Sequence, residues 1–322
     1  MHIPFTATNF PASWFPTPLP TSLPVTWSDL VWSAVTSGKA GSSYLLSHGW
    51  HSLADLVIRS HTIYANLRQG TTGCERSSLY EGQDPSEKGA TSYFLGMTMA
   101  KLFAGIYFDT PWLFHLSYAS FQGVSVAFLP GSSSRPDLIG TTTSGNWIIV
   151  EAKGRSGGFN SDALIKAKGQ TKMISLINGS PPVLSVALQA YFKGARLHVS
   201  LEDPPERDPS AIDVDMDLPT AMRRYYALAV AVTSLPTQDR TLAGQRYVTR
   251  FDRDSGITIG IDRSMLDLVN AGKMEELRNS ARNRSVQDRA NSQGTTMYPD
   301  GLLVSLDDRW SQERMRKEPE LR

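Results

Sequence analysis

Alternating apolar and polar stretches near the middle of the chain predict a β-hairpin. Two apolar segments, Leu138–Ile139 and Trp147–Val150, are separated by the turn-forming run GTTTSGN. Asp137 precedes the first predicted strand, and Glu151 and Lys153 end the second. Because side chains alternate along a strand, Glu151 and Lys153 share one face, and pairing of the two strands brings Asp137 close to both.

Helical and strand periodicities around this hairpin predict an α/β fold. Asp84 and Pro85 are typical of a helix start, and the helical pattern continues to about Phe103. Further helices are predicted at Trp50–Gln69, Asp162–Ile177, Leu218–Ser234 and Met265–Arg282, and strands at Trp112–Tyr118, Gly123–Leu129, Val183–Phe192, Arg196–Leu201, Arg246–Asp252, Gly256–Asp262 and Gly301–Leu306. The middle region therefore fits a central mixed sheet flanked by helices.

Composition divides the chain into three predicted regions. Residues 1–25 are rich in proline and aromatic residues, which favours an extended arm packed on the body or, alternatively, a disordered leader. An acidic, proline-rich segment at residues 202–217 indicates a boundary or a long loop. We therefore predict an N-terminal arm and helices over residues 1–83, a core over 84–205, and a C-terminal helical and hairpin extension over 206–322 that packs on the core.

Overall composition contributes mainly exclusions. The 322 residues are 40% hydrophobic and 20% charged, which is typical of a globular protein, and a net charge of +1 does not indicate general nucleic-acid binding. The single cysteine, Cys74, cannot form an internal disulfide or a cysteine-rich zinc site. No apolar run is long enough to span a membrane, and the first residues lack the positive region of a signal peptide. These features predict a cytoplasmic protein with no membrane partner.

Other candidate motifs fail on residue identity. Residues 37–43 lack the upstream glycine of a phosphate-binding loop and have Ala40 after the lysine. Residues 213–224 lack the glycine and the final glutamate of a calcium-binding loop. Four histidines lie without a complete ligand set or among apolar residues and are interpreted as structural or surface residues: His48, His51, His61 and His115.

The predicted hairpin gathers groups that are costly to bury together. Asp, Glu and Lys are rarely buried unless they are paired, yet Glu151 and Lys153 follow the most apolar stretch nearby. Two close carboxylates repel each other, and a divalent cation such as Mg²⁺ removes that conflict. A neighbouring lysine can then orient an attacking water or help to remove its proton. The alternative is a surface hairpin whose Glu151 and Lys153 form an exposed ion pair.

Pro136–Asp137 followed by Glu151–Ala152–Lys153 resembles the signature of the PD-(D/E)XK nuclease superfamily, and the resemblance covers roughly residues 85–200. It implies a restriction-endonuclease-like core with N- and C-terminal extensions. It also implies that Asp137 and Glu151 bind Mg²⁺, for which Mn²⁺ would substitute, with the Ala152 carbonyl as a third ligand. Lys153 would assist the attacking water.

The same resemblance implies two residues on helices. Nuclease-like folds of this class open with a helix that brings a glutamate to the metal, and Glu87 is the candidate in this chain. Glu75 and Glu81 are the alternatives, and complementing the helix dipole is the alternative role of Glu87. Several families place a glutamine or lysine on the helix after the E-x-K strand, and Gln170 resembles that residue.

The function implied by the resemblance is a Mg²⁺-dependent nuclease acting on phosphodiester bonds, principally in DNA, with RNA not excluded. Basic residues after the hairpin would contact phosphates: Arg155, Lys166, Lys168 and Lys172. Stand-alone enzymes of this kind often serve bacterial restriction or phage defence. Two alternatives remain, namely a catalytically silent nuclease fold that binds nucleic acid or protein, and an assembly subunit that binds a protein partner. Homo-oligomerisation is equally open.

Overall fold

The computed structural model describes residues 1–37, 50–116, 124–126, 135–203, 208, 210–233, 237–284, 294–311 and 315, without the side chains of 50–53, 124–126, 232 and 233. The helices are α1 (Trp27–Thr36), α2 (Trp50–Asn66), α3 (Ser78–Gly82), α4 (Pro85–Tyr107), α5 (Ser161–Thr171), α6 (Leu218–Tyr225), α7 (Ala227–Thr233), α8 (Arg263–Asn270) and α9 (Met274–Asn283). In this part of the chain, none is long and apolar enough to cross a membrane.

The strands are β1 (His2–Thr8), β2 (Ser22–Pro24), β3 (Leu67–Gln69), β4 (Cys74–Arg76), β5 (Trp112–His115), β6 (Val124–Val126), β7 (Leu138–Thr141), β8 (Trp147–Gly154), β9 (Ile174–Ile177), β10 (Leu184–Lys193), β11 (Arg196–Glu202), β12 (Ile212–Met216), β13 (Gln238–Leu242), β14 (Gln245–Asp252), β15 (Ile257–Asp262), β16 (Thr295–Met297) and β17 (Leu302–Leu306). The predicted strands that correspond to β10, β11, β14, β15 and β17 are confirmed.

A mixed central sheet organises the described residues, as predicted. Its strands lie in the order β2–β1–β11–β10–β8–β7–β5. Strand β4 pairs with β11 and with β3. Strand β8 is antiparallel to β7 and parallel to β10. Smaller sheets have the orders β6–β12–β9 and β13–β14–β15–β17–β16.

Helices α4 and α5 cover opposite faces of β8 and β10. Helix α4 approaches the backbone of β8 so closely that a Cβ at Gly154 would lie 1.7 Å from the carbonyl oxygen of Ser92. On the other face, Leu164 and Ala167 of α5 pack against Ala187 of β10. Because successive side chains alternate between faces, Glu151 and Lys153 face α5, whereas Ala152 and Gly154 face α4.

The N-terminal segment is a strand of the central sheet and not a disordered leader. Strand β1 pairs with β11 in parallel from Phe5 and with β2 in antiparallel orientation up to Pro4. Phe5 N donates to the Thr21 carbonyl on the β2 side, so the ring nitrogen of Pro4 faces the β11 side before that pairing begins. Ile3 and Phe5 are buried. Strands β1 to β4 therefore share a sheet with the strands of the predicted 84–205 core.

Several predicted helix boundaries are wrong. A short run of apolar residues can fit both the 3.6-residue period of a helix and the two-residue period of a strand. The predicted helix Asp162–Ile177 ends at Thr171, and Ile174–Ile177 forms β9, in which both end residues are buried. The predicted helix Met265–Arg282 is interrupted at Gly272, whose φ of 69° cannot continue a helix. Likewise, the single helices predicted at Leu218–Ser234 and Trp50–Gln69 are observed as α6 with α7 and as α2 with β3. His48, residues 38–43 and most of Gly123–Leu129 lie outside the described residues.

A buried polar cluster joins the N-terminal, middle and C-terminal parts of the chain. The Lys101 ammonium of α4 donates to the Pro111 carbonyl and, at 2.8 Å, to the Tyr225 hydroxyl. Tyr225 donates to Asp300 at 2.6 Å, and the Trp32 indole donates to the same carboxylate at 2.9 Å. Burial lowers the pKa of Lys101 to about 7, and the charge of Asp300 partly opposes that shift.

The buried amine makes stability depend on pH with a defined sign. Unfolding returns the Lys101 pKa from about 7 to its ordinary 10.5, so the unfolded chain binds an extra proton between these values and stability rises with pH. We expect the unfolding free energy of the wild type, relative to Lys101→Met, to rise from pH 7 to pH 9 by at most about 1.4 kcal/mol per unit. Urea unfolding at each pH measures the difference.

The exposed Lys166 provides a matched control for this substitution. Lys166→Met should follow the wild-type pH profile without a change of slope. Parallel profiles for wild type and Lys101→Met would contradict the argument.

Candidate active site

The predicted hairpin is present and positions the candidate residues at one end. Strand β7 pairs with β8 in the register Leu138 with Val150 and Thr141 with Trp147. Asp137 directly precedes β7 and therefore lies opposite Glu151. Its carbonyl accepts a 2.8 Å hydrogen bond from Leu116 N, which fixes the chain just before the hairpin begins.

Asp137 and Glu151 are joined by reciprocal contacts between side chain and backbone. Asp137 N donates to Glu151 Oε2 at 2.8 Å, and Ala152 N donates to Asp137 Oδ2 at 3.2 Å. Each carboxylate oxygen has further lone pairs, so these hydrogen bonds leave acceptor capacity for a cation. The two carboxylates and the backbone of Ala152 thus converge at the end of β8.

Glu151 is the most strongly perturbed group of the cluster. Its side chain is fully buried, and burial together with the nearby charge of Asp137 raises its pKa to about 7, against the lowering effect of Lys153. A divalent cation beside Glu151 would stabilise the ionised form. The donor set therefore fits a hard cation better than it fits an ordinary exposed ion pair, because an exposed pair would not shift the pKa in this way.

Lys153 is held between Glu151 and helix α5. Its ammonium contacts Glu151 Oε1 and donates to Gln170 Oε1 at 2.8 Å. Gln170 Nε2 donates to the Arg135 carbonyl at 3.0 Å, so the amide bridges the lysine and the segment that leads into Asp137. Sequence reasoning placed Gln170 near the site, and the structure brings it to Lys153.

A second glutamine holds α5 over the sheet. Gln189 on β10 lies in register with Lys153 and is fully buried. Its amide accepts from Asn160 N and donates to Asn160 O, both at 2.8 Å. Asn160 in turn caps α5 by accepting from Ala163 N at 2.7 Å. Sequence reasoning missed Gln189, whose role depends on the pairing of β8 with β10.

His115 lies beside the site and is buried, as its apolar neighbours predicted. It pairs with Leu138 across β5 and β7, and its Nε2 lies 3.3 Å from the Tyr93 hydroxyl. Burial lowers its pKa, and the charge of Asp137 acts in the opposite direction. Sequence reasoning did not connect His115 with Asp137, because no local motif signals pairing between separate strands.

The structure gives Glu87 a capping role. Asp84 N donates to the Glu87 carboxylate at 3.2 Å, and Glu87 N donates to Asp84 Oδ1 at 3.1 Å, which together form a capping box on exposed residues. Helix α4 meets β8 at Ser92, about 7 Å further along the helix axis. A metal-binding role for Glu87 remains a prediction.

The other predicted acidic and basic residues have the following positions. The fallback residues Glu75 and Glu81 form ion pairs with Arg68 and Arg76. Arg155 and Lys166 are exposed, Lys172 is half-buried, and Lys168 forms an ion pair with Glu202. Across the described ranges, no group of three or more His, Cys, Asp or Glu side chains could hold a metal. Any cation at the hairpin would therefore use two carboxylates plus backbone or solvent oxygen.

Comparison with known proteins does not add a family. No protein-family model, curated protein or solved structure gives a significant match to this chain.

The two glutamines should differ in their effects on stability. Gln189→Ala removes a buried amide and leaves both backbone groups of Asn160 without it, so we expect a loss of about 1–3 kcal/mol in unfolding free energy. Gln170→Ala removes a half-buried amide and should cost about 1 kcal/mol or less. Urea unfolding compares the two variants, and an equal cost would show that Gln189 does not anchor α5.

Proposed function

We propose that this protein is a Mg²⁺-dependent nuclease that hydrolyses phosphodiester bonds, principally in DNA. The observation that carries the proposal is the hydrogen-bonded cluster of Asp137, Glu151, Lys153 and Gln170 at the end of the β7–β8 hairpin. The order of an opening helix, a hairpin, a following helix and a mixed sheet supports a PD-(D/E)XK reading of the same residues.

The two carboxylates have the position and chemistry of a cation site. Asp137 and Glu151 would hold Mg²⁺ or Mn²⁺, with the Ala152 carbonyl as the third protein ligand. When bound, such a cation supplies Lewis acidity that stabilises negative charge on the phosphate during hydrolysis. The buried position of Glu151 favours this role, since its pKa is raised to about 7 despite the Lys153 contact and a metal ion would further stabilise the ionised form.

Lys153 is positioned to act on the attacking water. Contacts with Glu151 and Gln170 fix its ammonium, and the side chain is 27% exposed, so solvent can reach it. The ammonium can orient a water molecule toward phosphorus and stabilise the hydroxide that forms when the water gives its proton to bulk solvent. Gln170 holds Lys153 in this position from the opposite side of the cluster.

The first test is cleavage of supercoiled plasmid and single-stranded DNA with Mg²⁺, Mn²⁺ or EDTA. We expect cleavage that requires the metal and is lost in Asp137→Ala, because the substitution removes a metal ligand. Asp267→Ala, which removes an exposed carboxylate from α8, should cleave like the wild type. If no substrate is cut, calorimetry with Mn²⁺ decides whether the site binds a cation, and no binding to the wild type would contradict the proposal.

Lys153→Ala separates chemistry from binding. We expect cleavage to fall by at least about 100-fold, the scale of one lost donor to a developing negative charge, while DNA affinity measured in EDTA changes little. Lys273→Ala removes an exposed lysine far along the chain and should change neither quantity. Full cleavage by Lys153→Ala would refute the assigned role of the lysine.

Glu87→Gln distinguishes the capping role from a metal-binding role. Glutamine can also complete a capping box, so the substitution removes the charge while retaining the cap. If Glu87→Gln cleaves as well as the wild type, Glu87 only caps the helix. If cleavage is lost while stability is kept, Glu87 binds the metal.

A further inference from the structure

A row of three aromatic rings, one exposed and two half-buried, lies on the same sheet face as Lys153. Gln189 of β10 is in register with Lys153 of β8, and Tyr191 lies two residues further along β10. Alternation places Tyr191 on the face of Gln189 and Lys153, about 8 Å from Lys153 between Cα atoms by strand geometry. The register of β10 with β11 adds His198 opposite Tyr191.

The loop that leaves the E-x-K strand adds Phe159 to this row. Arg155 N donates to the Ala190 carbonyl at 2.8 Å, and Phe192 N donates to the Gly157 carbonyl at 3.1 Å, so the loop follows β10 before α5 begins. The Phe159 ring lies 5.6 Å from Tyr191, at an interplanar angle of 64°. Tyr191 lies 5.6 Å from His198 at 29°, in a stacked arrangement.

The aromatic row of Phe159, Tyr191 and His198 presents apolar surface to solvent and has basic residues around it. Phe159 is 50% exposed, and Tyr191 and His198 beside it are half-buried, so part of the aromatic surface is open to solvent. Burial lowers the pKa of His198, and the nearby positive charges of Arg196 and Lys193 lower it further. Arg155 is exposed at the start of the same loop.

Proteins bind single-stranded nucleic acid with aromatic side chains next to basic ones. The bases stack on the aromatic rings, and the basic side chains attract the phosphates. We propose that Phe159, Tyr191 and His198 form a stacking platform for a single strand of nucleic acid that leads into the Lys153 site. The proposal rests on the proposed nuclease function and narrows its substrate to an unpaired strand or a frayed end. Bases within a duplex are already stacked on each other and cannot present their faces to this row.

Binding in EDTA tests the platform without any cleavage. Fluorescence anisotropy with labelled oligothymidylate and with a blunt duplex gives both affinities. We expect Phe159→Ala and Tyr191→Ala each to weaken single-strand binding about 10-fold, within the range of one lost stacking contact, and to change duplex binding less than about twofold. Phe159→Trp should bind the single strand at least as tightly as the wild type.

Phe251→Ala is the matched control, because Phe251 is a 47% exposed aromatic residue on β14 in the separate five-stranded sheet. It should leave single-strand affinity unchanged. Absence of single-strand binding, or equal weakening of single-strand and duplex binding by Phe159→Ala, would overturn the platform.

The outcomes also separate this proposal from the nuclease assignment. Platform variants that weaken single-strand binding in a protein that neither cleaves DNA nor binds Mn²⁺ would support the surface and reject the nuclease. Cleavage that Asp137→Ala abolishes, combined with unaltered single-strand binding by both platform variants, would support the nuclease and reject the platform.

Discussion

Burial of the Glu151 carboxyl is the constraint on which the site depends. An acid with no exposed surface, next to a second carboxylate, is stable only if its charge is compensated or its proton is retained. The chain supplies partial compensation through Asp137 N and the Lys153 ammonium, and the pKa of Glu151 still rises to about 7. A hard cation would complete that compensation, which is the physical basis of the proposed metal site.

The position of Lys153 depends on a chain of contacts that crosses the sheet. Gln189 on β10 fixes the backbone of Asn160, Asn160 caps α5, and α5 carries Gln170 to the lysine. The contacts at Gln189, at the Asn160 cap and between Gln170 and Lys153 are directional hydrogen bonds, and the Gln189 side chain is fully buried. The lysine is therefore oriented from outside its own strand, which is the kind of support that holds a catalytic group within a narrow range of positions.

The features that could be predicted from sequence are those set by local spacing. A turn-rich run between two apolar segments gave the β7–β8 hairpin, alternation put Glu151 and Lys153 on one face, and helical spacing brought Gln170 toward the site. The insertion of β1 beside β11 could not be predicted, since Pro4 and the flanking prolines hide the alternation of Ile3 and Phe5. The placement of His115 beside Asp137 and the anchoring of α5 by Gln189 depend on pairing between distant strands, which no short window of sequence contains.

The loop between β8 and α5 links the Lys153 cluster to the aromatic row of Phe159, Tyr191 and His198. It begins at the end of the strand that carries Glu151 and Lys153, follows β10 through Arg155 and Gly157, and ends at the Asn160 cap. Backbone hydrogen bonds to β10 fix the loop at Arg155 and Gly157, and the Gln189 amide fixes it at Asn160. The ring of Phe159 therefore lies against Tyr191 because of the same β8–β10 pairing that aligns Lys153 with Gln189. A one-residue slip of β8 against β10 would turn Lys153 to the α4 face and leave the Tyr191 ring on the α5 face, so the lysine and the rings would no longer lie together. Site and surface are thus set by one register, and neither can be rebuilt independently of the other.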